Sequence, residues 1–103
     1  MIGIDPGLVE TGYGVLETGP AGLALLDAGV IATPKTAPLE ERLLALHDAV
    51  SRLLDRFTPA LLVVEDLYAD YKFPRTAILM GHARGVIYLA ARQHGVTLLP
   101  LAP

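Results

Sequence analysis

The chain has 103 residues, of which 52% are hydrophobic and 18% charged, enough for one domain with a modest core and far from the composition of a disordered segment. It contains no cysteine, which excludes disulfides and thiolate metal sites, and its formal charge of −3 lacks the basic footprint usual in nucleic-acid binders. No stretch reads as a signal peptide, and no apolar run approaches the ~20 residues of a membrane span, so a soluble protein without membrane contact is expected.

Met1 to Asp5 reads as a short apolar strand stopped by the turn signal Pro6-Gly7. Thr11 to Thr18 reads as a second strand, with Gly12 and Gly14 placing little bulk on one face and Thr11, Tyr13 and Val15 on the other. Gly19-Pro20-Ala21-Gly22 leads tightly into a third strand over Leu23 to Thr33. Connections this short leave no room for a crossover helix, so the three strands form an antiparallel meander.

The period then changes. Leu39, Leu43, Leu46, Val50, Leu53 and Phe57 fall at helical spacing, Pro38 suits a first turn, and Glu40, Glu41, Arg52 and Arg56 complement the helix dipole. Thr58-Pro59 ends this helix. Ala60 to Glu65 is a continuous apolar run closed by an acid, the pattern of a strand buried on both faces. Leu67 to Arg75 reads as a loop, Thr76 to His94 as a helix weakened by Gly81 and Gly85, and Val96 to Leu101 as a final strand. The order is β-β-β-α-β-α-β, an α/β domain over 1–103.

Two acids stand out by position. Asp5 ends the first strand and Glu65 the fourth. A strand–helix–strand crossover makes the fourth strand parallel to its partner; if that partner is the first, both acids leave the sheet at one edge, on strands ~4.8 Å apart. Carboxylates that close repel or share a cation, and their oxygens suit Mg²⁺ or Mn²⁺. The plainer alternatives are a turn aspartate bonding the backbone at Pro6-Gly7 and an exposed strand-end glutamate. The pairing favours the metal reading, since a carboxylate abutting Val63-Val64 is costly without a partner.

The motifs Gly3-Ile4-Asp5-Pro6-Gly7 and Thr11-Gly12-Tyr13-Gly14-Val15, then Val64-Glu65 with Tyr68, then Gly81-His82-Ala83-Arg84-Gly85-Val86, together resemble RuvC-type Holliday junction resolvases across the whole chain. His82 stands where the family carries glutamine, and the loop after Glu65 is one residue longer. The resemblance implies an RNase H-like fold with five strands in a mixed sheet of order 3-2-1-4-5. It implies a homodimeric endonuclease that hydrolyses phosphodiesters in four-way DNA junctions, with two Mg²⁺ (or Mn²⁺) per complete site and RuvA and RuvB as branch-migration partners in the cytoplasm. Asp5 and Glu65 would be the catalytic and metal-binding acids, Asp5 bridging metals and Glu65 holding one. The family continues beyond this chain's Ala102-Pro103 with a lysine-containing segment and a final helix bearing the remaining ligands. The chain is therefore expected to be the amino-terminal two-thirds of a resolvase, weak or inactive by itself.

Tyr68, Lys72 and Arg75 sit in an aromatic and basic cluster with Tyr71 and Phe73, read as DNA contacts by stacking and phosphate pairing, or else as a loop covering the core. Arg84 is assigned to DNA contact as well, with capping of an acidic neighbour as its alternative. Gly81 and Gly85, one turn apart, let another backbone approach closely, either a second subunit or this chain's own sheet; the resemblance favours the dimer. Asp66 and Asp70 are read as solvated acids, and His47, His82 and His94 are left outside the site. The competing functions are a degenerate module that binds DNA or dimerises without cutting, and an RNA-processing nuclease of the YqgF type.

Overall fold

A computed structural model of the chain describes residues 1–7, 9–66 and 73–102. The elements are β1 (Ile2–Asp5), β2 (Glu10–Gly19), β3 (Gly22–Ala32), α1 (Leu39–Phe57), β4 (Leu61–Glu65), α2 (Pro74–Gln93) and β5 (Thr97–Leu101). The strands form one sheet in the order β3-β2-β1-β4-β5, as expected. β1, β2 and β3 make the antiparallel meander, whose tight end pairs Gly19 with Gly22 and takes Gly22 to φ 103°, a conformation open to glycine.

β4 pairs parallel with β1, and β5 parallel with β4. Right-handed crossovers that step the same way along a sheet place their helices on the same face. Both helices accordingly lie together. His47 meets Gln93 at 2.6 Å and His94 meets Asp55 at 3.1 Å between them, so two of the three histidines serve the helix pair.

The core is one layer between sheet and helices. Ile2, Ile4, Val15, Leu62 and Val64 project into it from the strands, Leu46, Val50 and Leu54 from α1, and Ala83, Ile87, Ala90 and Ala91 from α2. Strand alternation sends the intervening residues the other way. Gly3, Asp5, Gly12, Gly14, Val63, Glu65, Leu99 and Leu101 therefore share the face opposite the helices. Leu99 and Leu101 are 46% and 54% exposed there. β4 is thus less symmetric than its unbroken apolar run implied: Leu62 and Val64 are fully buried, while Leu61 and Val63 are only half-buried.

Element boundaries differ from the sequence reading by one or two residues. The largest shift is at α2, which begins at Pro74 after an extended Phe73, because proline at N1 loses no helical hydrogen bond. α1 starts at Leu39 and ends where Thr58 turns to φ 40° and its N–H bonds the Leu54 carbonyl.

Candidate metal and nuclease site

Asp5 and Glu65 reach the same edge by register. Ile2 stands level with Leu62 and Ile4 with Val64, so the next residue on each strand is an acid. Both acids are exposed and line an open groove of about 530 Å³ together with Gly3, Gly12, Gly14, Val63, Leu101 and Ala102. Three of its floor positions are glycines, and a Cβ at Gly3 would meet nothing within 4 Å. The floor therefore lets a bulky ligand approach the backbone beside the acids.

The Glu65 carboxyl is held above its ordinary range. The first cause is hydrogen bonding with the Asp5 side chain, the second the repulsion of the Asp5 charge, and the third partial desolvation. Two carboxyl groups that share a proton in this way are also a fit for a hard divalent cation, which would take the place of that proton. Among the described residues no cluster of three or more metal-ligating side chains exists, so the pair offers part of a coordination shell.

The turn after β1 is built differently from the plainer reading of Asp5. The Thr11 hydroxyl donates to the Gly7 carbonyl at 2.9 Å and accepts from the Gly7 N–H at 3.3 Å. Thr11 is buried, so it clasps the turn from the core side and Asp5 is left facing the groove. Gly7 itself has no room for a side chain, since a Cβ there would strike the Glu10 carbonyl. Sequence reasoning placed Thr11 on the face of the second strand opposite Gly12 and Gly14, without saying which face is inner and without assigning it this task. The usable signal was a buried hydroxyl four residues after a glycine turn.

Arg84 departs from its expected DNA contact. It is 8% exposed and turned into the protein, where its guanidinium donates to the Glu65 backbone carbonyl, to Asp66 Oδ1 at 3.1 Å and to the Tyr88 hydroxyl. The alternative of capping an acidic neighbour is the one that holds. Asp66, expected to be merely solvated, forms the ion pair while remaining half-exposed. Its position on the side of the sheet away from the Glu65 carboxylate follows from strand alternation.

Arg75 is exposed in the first turn of α2. Tyr68, Lys72, Asp70 and Tyr71 lie outside the described residues. Gly81, His82 and Gly85 are exposed on the outward side of α2, and a Cβ at either glycine would meet nothing within 4 Å. The alternative that these glycines admit the chain's own sheet is therefore not the arrangement found. Ile78 and Leu89 flank them, 63% and 52% exposed.

A mixed five-stranded sheet with this strand order, covered by helices on one face and bearing acids where two central parallel strands end, has the RNase H-like fold of a class of nucleases. Residues 1–103 match the family "Crossover junction endodeoxyribonuclease RuvC", and the chain belongs to that family. It is 47% identical to the RuvC of Rhodopirellula baltica over 96 residues, covering 93% of this chain and 54% of that protein. It is 42% identical to the RuvC of Dictyoglomus turgidum, covering 100% of this chain and 65% of that protein. It superposes with a TM-score of 0.90 on T. thermophilus RuvC in complex with Holliday junction substrate, at 31% identity, covering 100% of this chain and 66% of that one. The chain thus spans about half to two-thirds of the length of these relatives.

Proposed function

We propose that this chain carries the acid pair of a metal-dependent endonuclease that resolves four-way DNA junctions. The observation that carries the reading is the register of β1 and β4, which sets Asp5 beside Glu65 at the open edge of the sheet. Family membership supplies the substrate: a relative of this fold is described in complex with a Holliday junction.

Asp5 and Glu65 would hold Mg²⁺ or Mn²⁺, with further oxygens completing a two-ion site. The metal supplies activation of a water and stabilisation of the leaving oxygen in phosphodiester hydrolysis. The protein's own part is to present two carboxylates side by side next to a floor in which Gly3, Gly12 and Gly14 leave the backbone open to approach. Tyr68, Lys72 and Arg75 are proposed DNA contacts. For Arg75 the support is local: a cation stands at the positive end of α2, whose first turn has no acid, a combination that suits phosphate.

A homodimer through α2 is proposed as well. Its support is the exposed Gly81 and Gly85 between exposed Ile78 and Leu89, a small-residue seam with apolar edges. RuvA and RuvB as branch-migration partners, and action in the cytoplasm, rest on the family. No helix among the described residues is long and apolar enough to cross a membrane.

The test is incubation of the chain with a synthetic four-way junction and with linear duplex, in Mg²⁺ or Mn²⁺. Paired symmetric nicks confined to the junction, even at a low rate, and lost in Asp5→Asn, would support this reading. Junction binding without nicks would favour a second reading, a binding module; the observation behind it is that the described residues offer two acids and no third. A preference for structured RNA would overturn both.

A further inference from the structure

Arg84 spends its donors on the end of β4 rather than on solvent. Glu65 is the last residue of that strand, after which the chain leaves the sheet. On one side β4 is tied to β5, with Glu65 level with Leu101 and the Asp66 N–H donating to the Leu101 carbonyl at 2.7 Å. On the other side the pairing with β1 runs only as far as Ile4 and Val64. Arg84 closes the remaining direction from the helix layer, one guanidinium nitrogen on the Glu65 carbonyl and the other on Asp66 and the Tyr88 hydroxyl. It sits between fully buried Ala83 and Ile87 on one flank of α2, so its base cannot drift, and the Tyr88 ring lies 5.0 Å from the guanidinium carbon.

We propose that Arg84 is a positioning residue, which fixes the Glu65 backbone so that the Glu65 carboxylate stays level with Asp5 for a shared divalent cation. This rests on the reading of Asp5 and Glu65 as a metal-binding pair. Two features favour positioning over charge compensation. Arg84 approaches from the face opposite the two carboxylates, and it holds Glu65 by the carbonyl, which has no charge to neutralise. Its own charge is met by Asp66 at 3.1 Å. The arrangement restrains the strand end while leaving the acid pair uncompensated, as a cation site requires. Without the restraint, like-charge repulsion would be free to open a strand end that β1 does not pair. Partners that orient a metal ligand from outside the coordination shell typically change metal affinity by about 10–100-fold.

The experiment compares the unaltered chain with Arg84→Met, Arg84→Lys, Tyr88→Phe and Asp5→Asn by three measurements. These are Mn²⁺ affinity by calorimetry, amide hydrogen exchange at Glu65 and Asp66, and metal-free affinity for a four-way junction. Arg84→Met is expected to speed exchange at these two amides and weaken Mn²⁺ binding about tenfold, at the lower end of that range. Arg84→Lys keeps the charge without the two-pronged fork and should recover only part of the loss. Tyr88→Phe keeps the ring and the fold, removes only the hydroxyl, and should shift both readouts the same way by less. Metal-free junction affinity should stay unchanged in all three. Unchanged exchange and unchanged Mn²⁺ affinity in Arg84→Met and Tyr88→Phe would overturn the proposal. So would a loss of metal-free junction affinity with Mn²⁺ binding intact, which would make Arg84 a DNA contact. Asp5→Asn separates the two levels: if it binds Mn²⁺ as well as the unaltered chain does, the acid-pair reading falls and the positioning role with it.

Discussion

The two faces of the sheet are made by the same strands and have opposite characters. On the helix side, Ile2, Ile4, Val15, Leu62 and Val64 are at most 4% exposed and interlock with α1 and α2. On the other side, alternating with them, come the glycines Gly3, Gly12 and Gly14, the acids Asp5 and Glu65, and the half-buried or exposed Val63, Leu99 and Leu101. One face is closed by the helices; the other is left open, with glycines and two acids at the β1 and β2 side and leucines towards β5. A period of two residues lets one short strand do both, so the site sits on the back of the buried core. That suits a metal ligand, since each acid directly follows the last paired residues of the β1–β4 ladder, Ile4 and Val64, rather than standing on a distant loop.

Substitutions on the two faces should separate cleanly. The largest effect is expected from Leu62→Ala, which empties a fully buried position and should cost about 2–5 kcal/mol in chemical denaturation. Leu99→Ala, one strand away on the open face, should stay within about 0.5 kcal/mol. Equal losses would show that the second face is as closed as the first. Next comes Asp5→Asn, which should abolish junction cleavage and weaken Mn²⁺ binding at least about tenfold while leaving the denaturation midpoint essentially unmoved, since Asp5 is exposed. Gly3→Leu is expected to be tolerated by the fold, since a Cβ there meets open space, yet to fill the groove floor and impair cleavage. A destabilised fold would contradict the bare-floor description.

The smallest effect concerns pH. Glu65 in the folded chain titrates above its ordinary range, chiefly through hydrogen bonding and repulsion from Asp5. In the window between the ordinary and the raised value, the folded state holds more protons than the unfolded one. Stability therefore falls as pH rises through that window, and the charged pair is a net cost at neutral pH. Glu65→Gln should melt slightly higher than the unaltered chain at pH 7 without metal, and the difference should vanish once pH drops below the ordinary glutamate range. Added Mn²⁺ should raise the melting temperature of the unaltered chain and not of the variant. A Glu65→Gln protein that melts lower at pH 7 would show that the pair is not strained.

Asp5 and Glu65 were legible because a strand ending in an acid is a local pattern, and the crossover rule then sets the strands in parallel. The residues alone left open which strand β4 docks on; the family resemblance supplied it, β1 rather than the edge strand β3, and the sheet has that order. The choice between the two readings of Arg84, and its pairing with Asp66, was not legible for a related reason. α2 carries alanines and glycines on several sides, so its sequence does not mark which side meets the sheet, and an arginine there reads as solvent-facing by default. Packing reversed this: Ala83, Ile87, Ala90 and Ala91 turn inward and carry Arg84 with them to the end of β4.

The sequence alone determined the element order, the antiparallel meander, the amphipathic α1, the sheet order through its family resemblance, and the two strand-end acids. These follow from periodicity, turn chemistry and chain connectivity, which act over a few residues or through general handedness. Only the tertiary structure decided that Thr11 clasps the Gly7 turn, that Gly81 and Gly85 face outward, and that Arg84 grips the Glu65 carbonyl from behind. Each of these depends on which azimuth of a strand or helix meets a partner distant in the chain. Local propensity does not fix that angle; burial of the neighbouring apolar residues does.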